Sequence, residues 1–397
     1  MRHLLFLLLS ISIATASAQT NEGIKLNLIS PQDYQVFQRQ SQNEGKIIIE
    51  TILESAERGA LTNLDRIEAR IFRAPTDDNN SEGWRALPFE GWQVLPFDNR
   101  VRHFRAELLA PGGGWYRVQV RLLGAGKVVA ESEAAHVGVG EIFVIAGQSN
   151  SANHGEGKQR AKNDLVVAFG NGHWQPAADP EPGASGKGGS FMPAFGDAMA
   201  NEFKVPIGVV PIGEGSTSVR EWLPAGDVMA APPDTGRNTI LVGSNVWVSA
   251  GSLFARITNV EKQFGTNGFR AVLWHQGESD SHEPSDRQIT AATYRQYLQR
   301  VIESSRAAAG WRVPWFIAQV SYHSPQDTGS PELRAAQKSL VTDGIALAGP
   351  DTDELGPEFR QNNGKGIHFN PRGLQRHGEL WAGSIAPWLK QQLTEAH

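Results

Sequence analysis

Residues able to do chemistry gather at the ends of apolar runs. Ser149 follows "IFVIA" (142–146), within Gly147-Gln148-Ser149-Asn150. "IGEGSTSVREW" (212–222) follows "GVVP", and "WHQGESD" (274–280) follows "AVL". A fourth group, "GKGIHFNPRG" (364–373), holds His368 just before a helical pattern. A serine hydroxyl is a weak nucleophile until a base takes its proton, and that base is commonly a His fixed in one tautomer by a carboxylate. The oxyanion that then forms needs donors aimed at it. The chain can supply each part: Ser149 the hydroxyl, His368 the imidazole, Glu278 or Asp280 the carboxylate, and Gly215 and Gln276 the donors. Together such parts perform acyl transfer.

Sequence order does not show that these groups meet, so the elements must bring them together. From about Gly140 on, apolar runs ("IFVIA", "PIGVVPI", "RAVLWH", "PWFIAQV", "GIALAG") alternate with amphipathic patterns. The latter are "MPAFGDAMANEF", "SLFARITNVEKQF", "ATYRQYLQRVIESSRAA", "PELRAAQKSL" and a last one opening at Pro371 after Asn370, a fitting N-cap. This rhythm predicts a parallel sheet with helices on both faces, and ligands in such folds sit at the carboxyl ends of the strands. Residues 156–190 read as a Gly/Pro-rich loop along one side of the site. Residues 23–139 instead alternate apolar and polar residues between turn signals, the pattern of a β-sandwich. Trp84, Trp92 and Trp115 in that part are read as core or edge packing rather than sugar platforms.

Residues 1–18 have the order of an export signal: Arg2 and His3, an apolar "LLFLLLSISIA", then Ala16-Ser17-Ala18 as a cleavage site. The expected organisation is therefore 1–18 signal, 23–139 sandwich and 140–397 α/β domain, with a secreted or periplasmic mature protein. The chain of 397 residues has no Cys, which excludes disulfides and thiolate chemistry. Its net charge of −5 and lack of a basic run give a nucleic-acid partner no footing. Acids at 278 and 280 with His275 and His282 nearby raise a metal site, but no HExxH-like spacing appears, so no metal and no cofactor are expected.

"GQSN" after the first α/β strand, "GSTSVREW", "HQGE" and a His before the terminal helix together resemble the SGNH-hydrolase superfamily. Within it they are similar to carbohydrate O-acetylesterases of the sialate O-acetylesterase and acetylxylan esterase type, over residues 140–390. The resemblance implies a flavodoxin-like three-layer α/β/α fold and metal-free serine-esterase chemistry on an acetylated carbohydrate. It implies Ser149 as nucleophile, His368 as general base, Gly215, Gln276 and the Ser149 N–H at the oxyanion hole, and Glu278 as third triad member. Trp222 and Asn150 are expected at the substrate, Asn150 chiefly as a buttress of its loop. One position departs. Many relatives carry Asp three residues before the His, where this chain has Lys365, and a lysine cannot accept an N–H bond. The partner of His368 is then sought in Glu278, Asp280 or Asp353, or in a backbone carbonyl. Two other readings are kept: a carbohydrate-binding protein on an inactive esterase scaffold, and a lipase or thioesterase of the same superfamily.

Overall fold

The structure, a computed structural model, describes residues 23–55, 63–73, 91–98, 100–233 and 236–395. The export-signal segment and Trp84 lie outside the described residues. The chain divides into two compact units. The first comprises residues up to Pro31, Ile48–Ala106 and Arg117–Ala135; the second comprises Gln32–Ile47, Glu107–Tyr116 and His136 onward. The units thus interleave along the chain ahead of the 139/140 boundary expected from the change of rhythm.

The first unit is built on strands. Ile24–Ser30 pairs antiparallel with the second half of Glu44–Ser55, and Leu64–Arg73 pairs antiparallel with Gln93–Leu95. Alternate side chains are buried, as at Ile49 and Leu53, which is the period-2 signature read from sequence. Trp92 is half-buried under the guanidinium groups of Arg70 and Arg121, 4.5 and 3.9 Å from its ring centre. In the second unit Trp115 is half-buried against Tyr34 and His136.

Among the described residues the second unit holds a sheet whose main path has seven strands, with Val36–Gln38 pairing parallel beside residues 138–140. In chain order they are β1 (Lys127–Gly147, of which the part from His136 belongs here), β2 (Val166–Gly170), β3 (His173–Pro176), β4 (Ile207–Pro211), β5 (Ala271–His275), β6 (Trp315–Gln319) and β7 (Leu347–Asp351). They lie in the order β3-β2-β4-β1-β5-β6-β7. All neighbours are parallel except the edge hairpin β2–β3. That hairpin occupies part of the stretch expected to be loop. Asn171 and Gly172, both at positive φ, make its turn. The chain moves from β1 to β4 on one side, then crosses to β5 on the other. Strand order therefore reverses between β1 and β5, which opens a crevice at their carboxyl ends.

The inner strands are apolar on both faces, as a doubly covered sheet requires. On one face Ile142, Val144, Val272 and Trp274 pack with α2 (Ser252–Phe264), α3 (Ala291–Ala309) and α4 (Pro331–Thr342). On the other, Phe143, Ile145, Leu273 and Phe316 pack with α1 (Met192–Phe203) and α5 (Pro371–Glu395). Each fully buried aliphatic or aromatic side chain contributes about 1.5–3 kcal/mol. Within β1, Glu141 is fully buried between Arg39 and Arg270, with N···O distances of 2.5 and 2.6 Å.

Candidate active site

Gly147 ends β1. Its φ is +123°, and a Cβ there would lie 2.1 Å from the carbonyl oxygen of His275 on β5. Only glycine lets the two strand ends close up and the chain turn into Ser149. The next residue, Gln148, fastens this turn to the end of β5. Its Oε1 accepts from the N–H of Ser279 at 3.0 Å and of Gly277 at 3.3 Å. Ser149 begins a single 3-10 turn (Ser149–Ser151). Its hydroxyl has no hydrogen-bond partner among the described residues, and it lines a cleft of about 270 Å³. Gln148, Ser216, Glu278, His282, His323 and His368 also face that cleft.

His368 arrives from the long segment between β7 and α5. Arg360 holds that segment in shape. Its guanidinium donates to the carbonyls of Leu355, Thr352 and Ile367 at 2.8, 3.1 and 2.8 Å. Asn150 then joins the His368 segment to the Ser149 turn. Its Nδ2 donates to the carbonyl of Ile367 at 3.3 Å and to Glu278 Oε1 at 2.9 Å. Ser149 and His368 are thus brought to one cleft by the neighbours of each.

Burial, with the positive field of Arg360 and the rings of His154 and His323, lowers the His368 pKa to about 4. The ring is neutral at neutral pH, as a general base must be. Its Nδ1 meets the side-chain amide of Gln361 at 3.0 Å. No hydrogen bond joins His368 to Glu278, Asp280 or Asp353 among the described residues. Asp280 accepts from Ser218 Oγ (2.6 Å), the Val219 N–H (2.8 Å) and Gln276 Nε2 (2.6 Å). Asp353 accepts from the N–H groups of Ser321 and Tyr322, at 2.9 and 3.1 Å, and from Arg334. Glu278 is fully buried with Oε2 unpartnered, and burial raises its pKa to about 7. Lys365 is exposed.

The other residues expected at the site meet the following surroundings. Trp222 is 0% exposed, stacked edge-on to Trp274 and donating from Nε1 to Thr217 Oγ1, so it offers no platform to a sugar. Gln276 is 0% exposed and its amide hydrogens go to Asp280 and to the Thr217 carbonyl, leaving none for an oxyanion. The Gly215 N–H donates to Ser185 Oγ at 2.7 Å, and a Cβ on Gly215 would strike His154 Nε2 at 2.6 Å. It is the next residue, Ser216, that faces the cleft, at a φ of +59° and with its N–H unbonded among the described residues. Asn150 is a clamp between segments and 5% exposed. Two other histidines near the motifs are structural. His275 is buried with Nε2 at 3.0 Å from Thr352 Oγ1, and His377 on α5 accepts from Trp381 Nε1 at 3.0 Å.

A neutral imidazole and an unbonded hydroxyl in one cleft is the equipment of acyl transfer. The family model described as carbohydrate esterase, sialic acid-specific acetylesterase, matches residues 139–386, well over half of the chain. The chain belongs to this family. Among solved structures it is similar to a carbohydrate acetylesterase from Xanthomonas citri, with a TM-score of 0.54 and 17% identity over 91% of this chain and 74% of that one. A protein from Arabidopsis thaliana is also similar, with a TM-score of 0.44 and 21% identity over 62% of this chain and 98% of that one. The first supports the fold, and the second adds no argument at that score. No curated protein matches the chain by sequence. The family makes the protein a carbohydrate esterase, as the motifs implied. No helix among the described residues is long and apolar enough to cross a membrane.

Proposed function

We propose that this carbohydrate esterase removes O-acetyl groups from a sugar through an acetyl-enzyme on Ser149. The observation behind the reading is the pairing of an unbonded Ser149 hydroxyl with a neutral His368 in one cleft. Ser149 Oγ attacks the acetyl carbonyl while His368 Nε2 takes its proton. The oxyanion is met by the N–H groups of Ser149 and Ser216. As the tetrahedral intermediate collapses, His368 returns the proton to the departing sugar oxygen. Water then attacks the acetyl-enzyme, His368 takes the water's proton, and acetate leaves as the proton passes back to Ser149.

Gln361 takes the place of the missing acid as the group that orients His368. As found, its Nε2 donates to Nδ1, so the ring proton sits on Nε2. Half a turn of the amide presents Oε1 to an Nδ1–H, the tautomer in which Nε2 can accept a proton. A neutral amide stabilises the imidazolium less than a carboxylate does, in keeping with a low His368 pKa. The cleft is small and lined by Ser, Gln, Glu and His, which suits a short acyl group over a lipid chain. Strand order β4-β1-β5-β6-β7 with helices on both faces is in keeping with the flavodoxin-like SGNH fold, and the strand-built first unit with a β-sandwich. The mature protein is proposed to be exported after cleavage near Ala18.

Ser149→Ala is expected to abolish acetate release from p-nitrophenyl acetate and from acetylated xylan, with an unchanged melting temperature. Full activity in the folded variant overturns the reading. Glycan binding without acetate release in the wild type would favour the binding-protein alternative.

A further inference from the structure

One wall of the cleft holds three metal-ligand side chains that the esterase reaction does not use. The side-chain donor atoms of His282, His323 and Asp327 lie within 4.8 Å of one another. His282 follows the short helix Glu278–Ser281, and its Nδ1 lies 2.7 Å from the carbonyl oxygen of Glu278. A carbonyl only accepts, so Nδ1 carries a hydrogen and any lone pair of the ring is on Nε2. That nitrogen is buried, has no aligned hydrogen bond, and sits 2.5 Å from a carboxylate oxygen of Asp327. A nitrogen and a carboxylate oxygen that close share a cation, either a proton on Nε2 or a metal ion beside the pair. A backbone carbonyl holding the far nitrogen is also the way metal-binding histidines are commonly fixed.

The other two ligands are presented by a tight turn. The N–H groups of His323 and Ser324 donate to the Asp327 carbonyl at 3.1 and 2.9 Å, which sets residues 323 and 327 side by side. Asp353 has a role here. It grips the Ser321 and Tyr322 N–H groups and so fixes the segment leading from β6 to His323. Ser281 Oγ donates to the Ser321 carbonyl at 2.9 Å, tying the His282 helix to the same segment. The His282 and His323 rings are 4.1 Å apart.

We propose that His282, His323 and Asp327 bind a divalent transition metal of the zinc class at the wall of the cleft. Two imidazoles and a carboxylate are a zinc donor set, with ligand bonds of about 2.0–2.2 Å and a fourth position left for water. Small rotations of exposed Asp327 and His323 open the present close contact to tetrahedral spacing. The ion lies in the cleft that receives the ester, so its binding competes with substrate and slows acetate release.

The test is titration of the full mature chain, untagged and dialysed against EDTA and then metal-free buffer, with ZnCl2 in a calorimeter. One saturable site with a Kd in the micromolar range or tighter is expected. Affinity should fall at least about tenfold in His323→Ala and in Asp327→Asn, and stay unchanged in Ser149→Ala. The Co2+ form should show the intense visible absorption of a four-coordinate site, lost in His323→Ala. Absence of saturable binding, or equal binding in both wall variants with native circular dichroism, overturns the proposal.

Discussion

Two walls of the cleft each carry a histidine, and they are built by opposite means. The wall after β5, residues 276–283, is dense in acids, yet none of them reaches His368. Asp280 is committed to three donors on the 217–222 turn and its neighbour Gln276, close to the buried guanidinium of Arg220. Glu278 answers Asn150 with one oxygen and is left without a partner at the other. The wall after β7, residues 360–370, has no acid near its histidine and offers the amide of Gln361 instead. The difference teaches that a carboxylate next to a motif is not thereby its catalytic acid. Its hydrogen-bond partners decide whether it is a brace or a reagent.

The comparison can be broken first at the brace. Asp280→Ala removes the acceptor for Ser218, Val219 and Gln276 and leaves Arg220 with Glu283 as its remaining acid. A loss of about 3–5 kcal/mol is expected, as when one member of a buried charged network is deleted. Chemical denaturation reads it directly. A variant as stable as the parent would mean that Asp280 is not structural.

A smaller effect is expected at the other wall. Gln361→Ala frees Nδ1 of His368 without exposing the core. Acetate release should fall about 10–100-fold in kcat, the usual size of losing an orienting partner, with KM little changed. Gln361→Glu should restore part of the rate and raise the pH of the acid limb, since a carboxylate favours the imidazolium. Equal rates in Gln361→Ala and the parent would remove Gln361 from the account.

Much of this was legible beforehand. The patterns "MPAFGDAMANEF" and "SLFARITNVEKQF" coincide with α1 and α2, because their apolar residues recur at helical spacing. The last strand was read two to three residues early, at 344–349. Gly344 and Ile345 instead close the end of α4 by bonding back to Val341 and Leu340, so pairing with β6 begins only at Leu347. Motif order singles out Ser149 and His368, and both line one cleft. It does not single out Gln361, because the contact depends on a local fold that spacing does not announce. Asn362 and Asn363 both adopt left-handed φ angles of 55° and 54°, and the Gln361 N–H returns to the His368 carbonyl at 2.9 Å. Asn tolerates that conformation better than most residues, but two in a row is a rare turn. Trp222 was misplaced for a different reason. Its neighbours Ser218 and Glu221 form a reciprocal capping box, which turns the indole inward beside Trp274.

The most direct measurement of which wall does the chemistry is the pH profile of kcat/KM for acetate release, taken with EDTA present. His368 has its pKa lowered to about 4 and Glu278 has its pKa raised to about 7. If neutral His368 is the only deprotonated group required, the rate stays level as pH falls through 7 and drops only near 4. Glu278→Gln then leaves that limb in place. A limb near pH 7 that vanishes in Glu278→Gln would show that the ionised Glu278 is the partner of His368, and would contradict the account.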